Sequence, residues 1–83
     1  MKVNNVLYVE DDKSWRGTMQ RAFARDICPD VDTAEDYQSG LEKAREKRYD
    51  LIVLDGLEGA CFALHEELKG KHGVIVIFSG EER

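Results

Sequence analysis

YDLIVLDG, residues 49–56, contains four consecutive apolar residues, Leu51 to Leu54, that end on one carboxylate, Asp55, and then a glycine. A run of this length without apolar/polar alternation reads as a strand buried on both faces, the pattern of a parallel sheet covered by helices. Working back along the chain, Val6 to Val9 (VLYV) is a second run of strand length, and it ends on Glu10, Asp11 and Asp12. Two buried strands that finish in acid point to a shared site at one end of a sheet.

The segments between and around these runs supply the rest of the fold. After the first strand, Asp11 or Asp12 can cap a helix in which Trp15, Met19, Ala22 and Phe23 recur at helical spacing, with Trp15 and Phe23 expected to anchor its core face. Pro29 stops that helix, and Val31 to Ala34 form a weak second strand. A second helix opens at Asp36 and Tyr37 and runs through Leu41, Ala44 and Arg48. A third carries Cys61, Leu64 and Leu68 on one stripe and ends at Gly70 or Gly73. Val74 to Phe78 (VIVIF) is the fourth strand.

The order β-α-β-α-β-α-β, with every crossover long enough for a helix, predicts an α/β fold: an open, doubly wound parallel sheet with right-handed connections and helices on both faces. In such sheets ligands bind beyond the carboxyl ends of the strands. Glu10, Asp11 and Asp55 are expected there, with Ser79 and Gly80 following the fourth strand. Carboxylates crowded in a crevice raise a pKa or recruit a hard cation, and Mg2+ suits one or two carboxylates with water or phosphate oxygens completing its shell. Asp55 could then act as a nucleophile in phosphoryl transfer, since carboxylates form acyl-phosphate intermediates.

At 83 residues the chain is one small domain. Its net charge of −5 repels a phosphate backbone, so direct nucleic-acid binding is not expected. No apolar stretch approaches the roughly 20 residues needed to span a bilayer, and the N-terminus lacks the cleavage site of a signal peptide. A cytoplasmic protein is expected, with Cys28 and Cys61 as free thiols. His65 and His72 read as surface residues.

These motifs resemble the receiver domain of two-component response regulators over essentially the whole chain. VLYVEDD (6–12) is similar to the acidic first-strand motif, AEDYQSGL (34–41) to the segment after the second strand, and YDLIVLD (49–55) to the strand that carries the phosphoacceptor. The resemblance implies a flavodoxin-like sheet of order 2-1-3-4 and a domain spanning 1–83 that is incomplete after the fourth strand. It implies Asp55 as phosphoacceptor, Glu10, Asp11 and Asp55 as Mg2+ ligands, Ser79 as the hydroxyl that meets the phosphoryl group, and a histidine kinase as partner. The chain is then an acceptor rather than an enzyme.

The sequence departs from the family pattern in two places. The loop DGLEGA (55–60) is shortened, and Arg83 stands where the family continues through a fourth helix, a fifth strand bearing a lysine and a fifth helix. Glu81 and Glu82 read as the start of such a helix. VIVIF would then lie on the sheet edge without proline or charge, a template for pairing with another chain, and homodimerisation through that strand is expected. The alternative function is a receiver-like module, or a receiver fragment, that binds partners or itself without phosphorylation. A haloacid-dehalogenase-type phosphatase would want an acid two residues after Asp55, where Leu57 stands.

Overall fold

The computed structural model describes residues 2–55 and 60–78, apart from the side chains of 60–62 and 78. The elements are β1 (Val6–Glu10), α1 (Lys13–Asp26), β2 (Val31–Ala34), α2 (Tyr37–Glu46), β3 (Leu51–Asp55), α3 (Ala60–Leu68) and β4 (Val74–Phe78). All strand pairs are parallel, in the order β2-β1-β3-β4. This is the doubly wound α/β sheet that the sequence implies. Ser79, Gly80, the loop after Asp55, and Glu81 and Glu82 with the helix start expected there lie outside the described residues.

β1 and β3 form the centre of the sheet. Every residue of β1 is buried, as are all of β3 except Leu51, in keeping with their unbroken apolar runs. Successive strand side chains point to opposite faces. Leu7, Val9, Ile52 and Leu54 meet Leu41 and Ala44 of α2 and Leu64 and Leu68 of α3 in the main core cluster. Burial of each large aliphatic side chain there contributes roughly 1.5–3 kcal/mol. Gly40 lets α2 approach, since a Cβ at that position would lie 3.1 Å from a methyl of Val9 and 3.3 Å from one of Leu64.

On the other face, α1 packs by Phe23 against Tyr8, edge to face, with ring centroids 5.1 Å apart. This helix has no fully buried residue. The expectation that Trp15 anchors its core face is therefore corrected: Trp15 is 43% exposed. It sits in the first turn of α1, where its backbone N–H serves the cap by donating to Asp12 Oδ1 at 2.9 Å. α2 has a full capping box, in which Asp36 accepts from the Ser39 backbone N–H and Ser39 Oγ accepts from that of Asp36. It ends at Glu46 rather than at Arg48. Lys47 is already extended and bridges to Asp32 at 3.2 Å, while Arg48 pairs with Asp50 at 2.8 Å.

The amino ends of β1 and β3 are tied by side chains. The Asn4 backbone N–H donates to Asp50 Oδ2 at 2.8 Å, the Asp50 N–H donates to Asn5 Oδ1 at 2.7 Å, and Asn5 Nδ2 donates to the Arg48 carbonyl at 2.9 Å. These contacts fix the register that pairs Val6 with Leu51 and, four residues on, Glu10 with Asp55. His72 is more than a surface residue. Its Nδ1 accepts from the Tyr49 N–H at 2.9 Å, and burial, with Arg48 and Lys71 nearby, lowers its pKa. The Tyr49 hydroxyl in turn donates to Asp32 at 2.7 Å.

Next to His72, Gly73 passes directly against the Asp50 backbone: a Cβ at 73 would overlap the Asp50 carbonyl oxygen and lie 2.9 Å from its carbon. Backbone on both sides cannot yield as a side chain can. Gly73→Ala is expected to cost roughly 1–3 kcal/mol, the range of overpacking, through loosened β3–β4 pairing. Urea unfolding of the variant checks this, and an unchanged midpoint would show that the turn relaxes freely.

Candidate functional site

The carboxyl ends of β1 and β3 deliver Glu10 and Asp55 as direct register partners. Both are buried, at 5% and 3% exposure, an unusual position for two acids side by side. They are held by neutral donors. The Tyr8 hydroxyl lies 3.2 Å from Glu10 Oε1 and 3.3 Å from Asp55 Oδ2, and the Asp12 backbone N–H donates to Glu10 Oε2 at 3.2 Å. Arg16 reaches only the main chain here, donating from Nη1 to the Glu10 carbonyl at 2.8 Å.

Electrostatics follow from this crowding. Glu10 has its pKa pushed up to about 7, chiefly by burial, then by the hydrogen-bonded carboxyl of Asp55, with a smaller contribution from Asp11 and some relief from the Asp12 N–H. Glu10 and Asp55 thus resist carrying two charges together, and a proton or a cation relieves them. Tyr8 is pushed far above the ordinary phenol range, first by burial and then by the two acids, so it is a neutral donor at any physiological pH.

Of the sequence-predicted residues, the structure brings Glu10 and Asp55 together. Asp11 is exposed, at the mouth of the crevice, and touches the pair through Glu10. Asp12 is the α1 cap, and Ser79 lies outside the described residues. Among the described residues no group of three or more His, Cys, Asp or Glu side chains has the geometry to hold a metal ion. The donor chemistry nevertheless suits Mg2+, which takes one or two carboxylates and retains water. Sequence reasoning missed Tyr8. Its position two residues before Glu10, on the same strand face, was the available signal.

A cavity of about 320 Å3 lies at the opposite end of the sheet, among Arg45, Arg48, Lys71 and His72, away from the acids. Cys28 is buried as a free thiol, and the Cys61 side chain lies outside the described residues. No helix among the described residues is long and apolar enough to cross a membrane.

The family model described as response regulator receiver domain matches residues 6–82. The chain belongs to the response regulator receiver domain family. Receiver domains are signalling modules of two-component systems, and the family interacts with kinases and other signalling proteins. The fold is similar to that of the crystallised N-terminal domain of an uncharacterized protein from Wolinella succinogenes, with a TM-score of 0.74 and 22% identity. That likeness covers 93% of this receiver chain and 64% of the other, so the chain spans about two thirds of its structural relative. No curated protein matches it.

Proposed function

We propose that this receiver domain is a phosphoacceptor, modified at Asp55 by a histidine kinase with the help of Mg2+. The observation that carries the reading is the pairing of Glu10 with Asp55 at the ends of adjacent parallel strands, both buried, so that a nucleophilic carboxylate lies beside a second ligand carboxylate. In the reaction a carboxylate oxygen of Asp55 attacks phosphorus, the P–N bond of a phosphohistidine breaks, and the imidazole takes up a proton. The product is an acyl phosphate on this chain. Mg2+, when held by Glu10 and Asp55 with Asp11 turning in from the mouth of the crevice as the third proposed ligand, would offset the negative charge of the incoming phosphoryl group. Ser79 is the proposed hydroxyl partner of that group. The domain assists its own modification and is not proposed to turn over a separate substrate. Its proposed setting is the cytoplasm, and direct DNA or RNA binding is no part of the reading.

A second reading is favoured by β4, which has β3 as its only strand neighbour among the described residues and exposes 41% of Val74. A parallel strand without a second neighbour among the described residues, carrying an exposed aliphatic residue, suits pairing with a second copy or another signalling protein. The interaction module would then need no phosphoryl chemistry.

Intact mass after incubation with Mg2+ and a small acyl-phosphate donor tests the first reading. A phosphoryl adduct that requires Mg2+ and maps to Asp55 is expected. An unmodified chain under conditions that modify a complete receiver would overturn it. Light scattering at high micromolar concentration tests the second reading, with a dimer mass expected and a monomer counting against it.

A further inference from the structure

We infer that Tyr8 is the positioning residue of the acidic pocket: its hydroxyl ties Glu10 and Asp55 together so that both carboxylates face a divalent cation as one unit. The inference rests on the phosphoacceptor reading and adds to it a residue outside the proposed ligand set. Tyr8 is 1% exposed, and its ring packs edge to face against Phe23. Among the described residues its hydroxyl has two acceptors, Glu10 Oε1 at 3.2 Å and Asp55 Oδ2 at 3.3 Å. A hydroxyl has one proton, so it can serve both oxygens only by sharing. Both distances exceed the roughly 2.7–2.8 Å of an unshared O–H···O bond, as sharing requires.

Chemistry explains why a phenol suits this place. An apolar side chain would leave two buried carboxylates to repel each other and turn apart. A cationic side chain would neutralise them and compete with the divalent ion. The tyrosine hydroxyl restrains both groups and adds no charge. Partners that orient metal-binding side chains typically change metal affinity by about 10–100-fold when removed.

The test is Tyr8→Phe, which keeps the ring and its contact with Phe23, compared with the parent and with Phe23→Leu as a packing control. Mg2+ binding is followed by calorimetry and by the fluorescence of Trp15, the single tryptophan. Phosphoryl adduct formation is followed against Mg2+ concentration. In Tyr8→Phe the half-saturating Mg2+ concentration is expected to rise about tenfold, with the thermal midpoint nearly kept and the adduct yield recovering at saturating Mg2+. Phe23→Leu is expected to lower the midpoint and leave half-saturation close to the parent's. Unchanged or tighter Mg2+ binding in Tyr8→Phe overturns the inference. Equal weakening in Phe23→Leu overturns it too, by assigning the effect to packing, and so does a Tyr8→Phe chain that no longer folds. Weaker Mg2+ binding in Tyr8→Phe with no adduct on the parent refutes the phosphoacceptor reading and leaves the positioning role standing. A parent that binds no Mg2+ removes both.

Discussion

Raising the pH from about 5 to about 8 without divalent cations lowers the stability of this receiver domain through Glu10, and Glu10→Gln removes that loss. Burial and the neighbouring Asp55 push the Glu10 pKa from 4.5 up to about 7. The folded state therefore holds the proton more tightly than the unfolded state. The stabilisation is fully present below 4.5, declines as pH rises between 4.5 and about 7, and is gone above that range. Each tenfold change in proton affinity is worth about 1.4 kcal/mol, so the loss is at most about 3 kcal/mol.

His72 works in the opposite sense. Its pKa is lowered in the fold, so its contribution grows as pH rises toward 6.5. Subtracting the Glu10→Gln curve from the parent curve cancels this background. Chemical denaturation at a series of pH values is the measurement, and a difference curve that is flat or rises with pH would refute the assignment. Mg2+ added above pH 7 is expected to restore the stability, because the ion binds the deprotonated pair.

Asp55→Asn is expected to abolish the phosphoryl adduct completely and, in the metal-free protein above pH 7, to make the chain more stable. The functional loss follows because an amide cannot form the acyl phosphate. The stability gain follows because the substitution removes one of two buried like charges in hydrogen-bond contact. An amide also offers Glu10 a donor where a carboxylate repelled it. A gain of about 1–2 kcal/mol corresponds to returning the Glu10 pKa part of the way to its ordinary value. Intact mass and urea unfolding at pH 8 read the two effects separately. An adduct that persists in the variant would place the acceptor elsewhere, and a loss of stability would show that the pair is held by contacts to Asp55 stronger than its repulsion of Glu10.

The strands and their order in the chain were legible because VLYV and LIVL lack alternation, and a parallel sheet with covered faces is the arrangement that buries such runs. That both strands end in acid placed Glu10 and Asp55 at the same end of the sheet. Asp11 or Asp12 read as the cap of the first helix, and the structure gives the place to Asp12; Asp36 and Tyr37 read as the opening of the second helix, where Asp36 is the cap. Trp15 misled because helical spacing identifies a stripe, and α1 presents only part of that stripe to the sheet. Phe23, eight residues on, meets the Tyr8 ring, whereas Trp15 in the first turn remains 43% exposed.

By itself, the sequence determined the alternation of strands and helices, the buried character of β1 and β3, and the identity of the acids that close them, because these depend on local periodicity and on side-chain chemistry. Only the tertiary structure decided the register that sets Glu10 against Asp55, which depends on Asn4, Asn5 and Asp50 meeting across 45 or 46 residues of sequence. It alone decided that Asp11 stays at the mouth of the crevice, that His72 takes the Tyr49 N–H, and that the Tyr8 hydroxyl spans both buried acids. Each of these is a contact between distant segments. Its geometry is set by how the strands pair and how the helices cover them, and no periodicity along the chain encodes that.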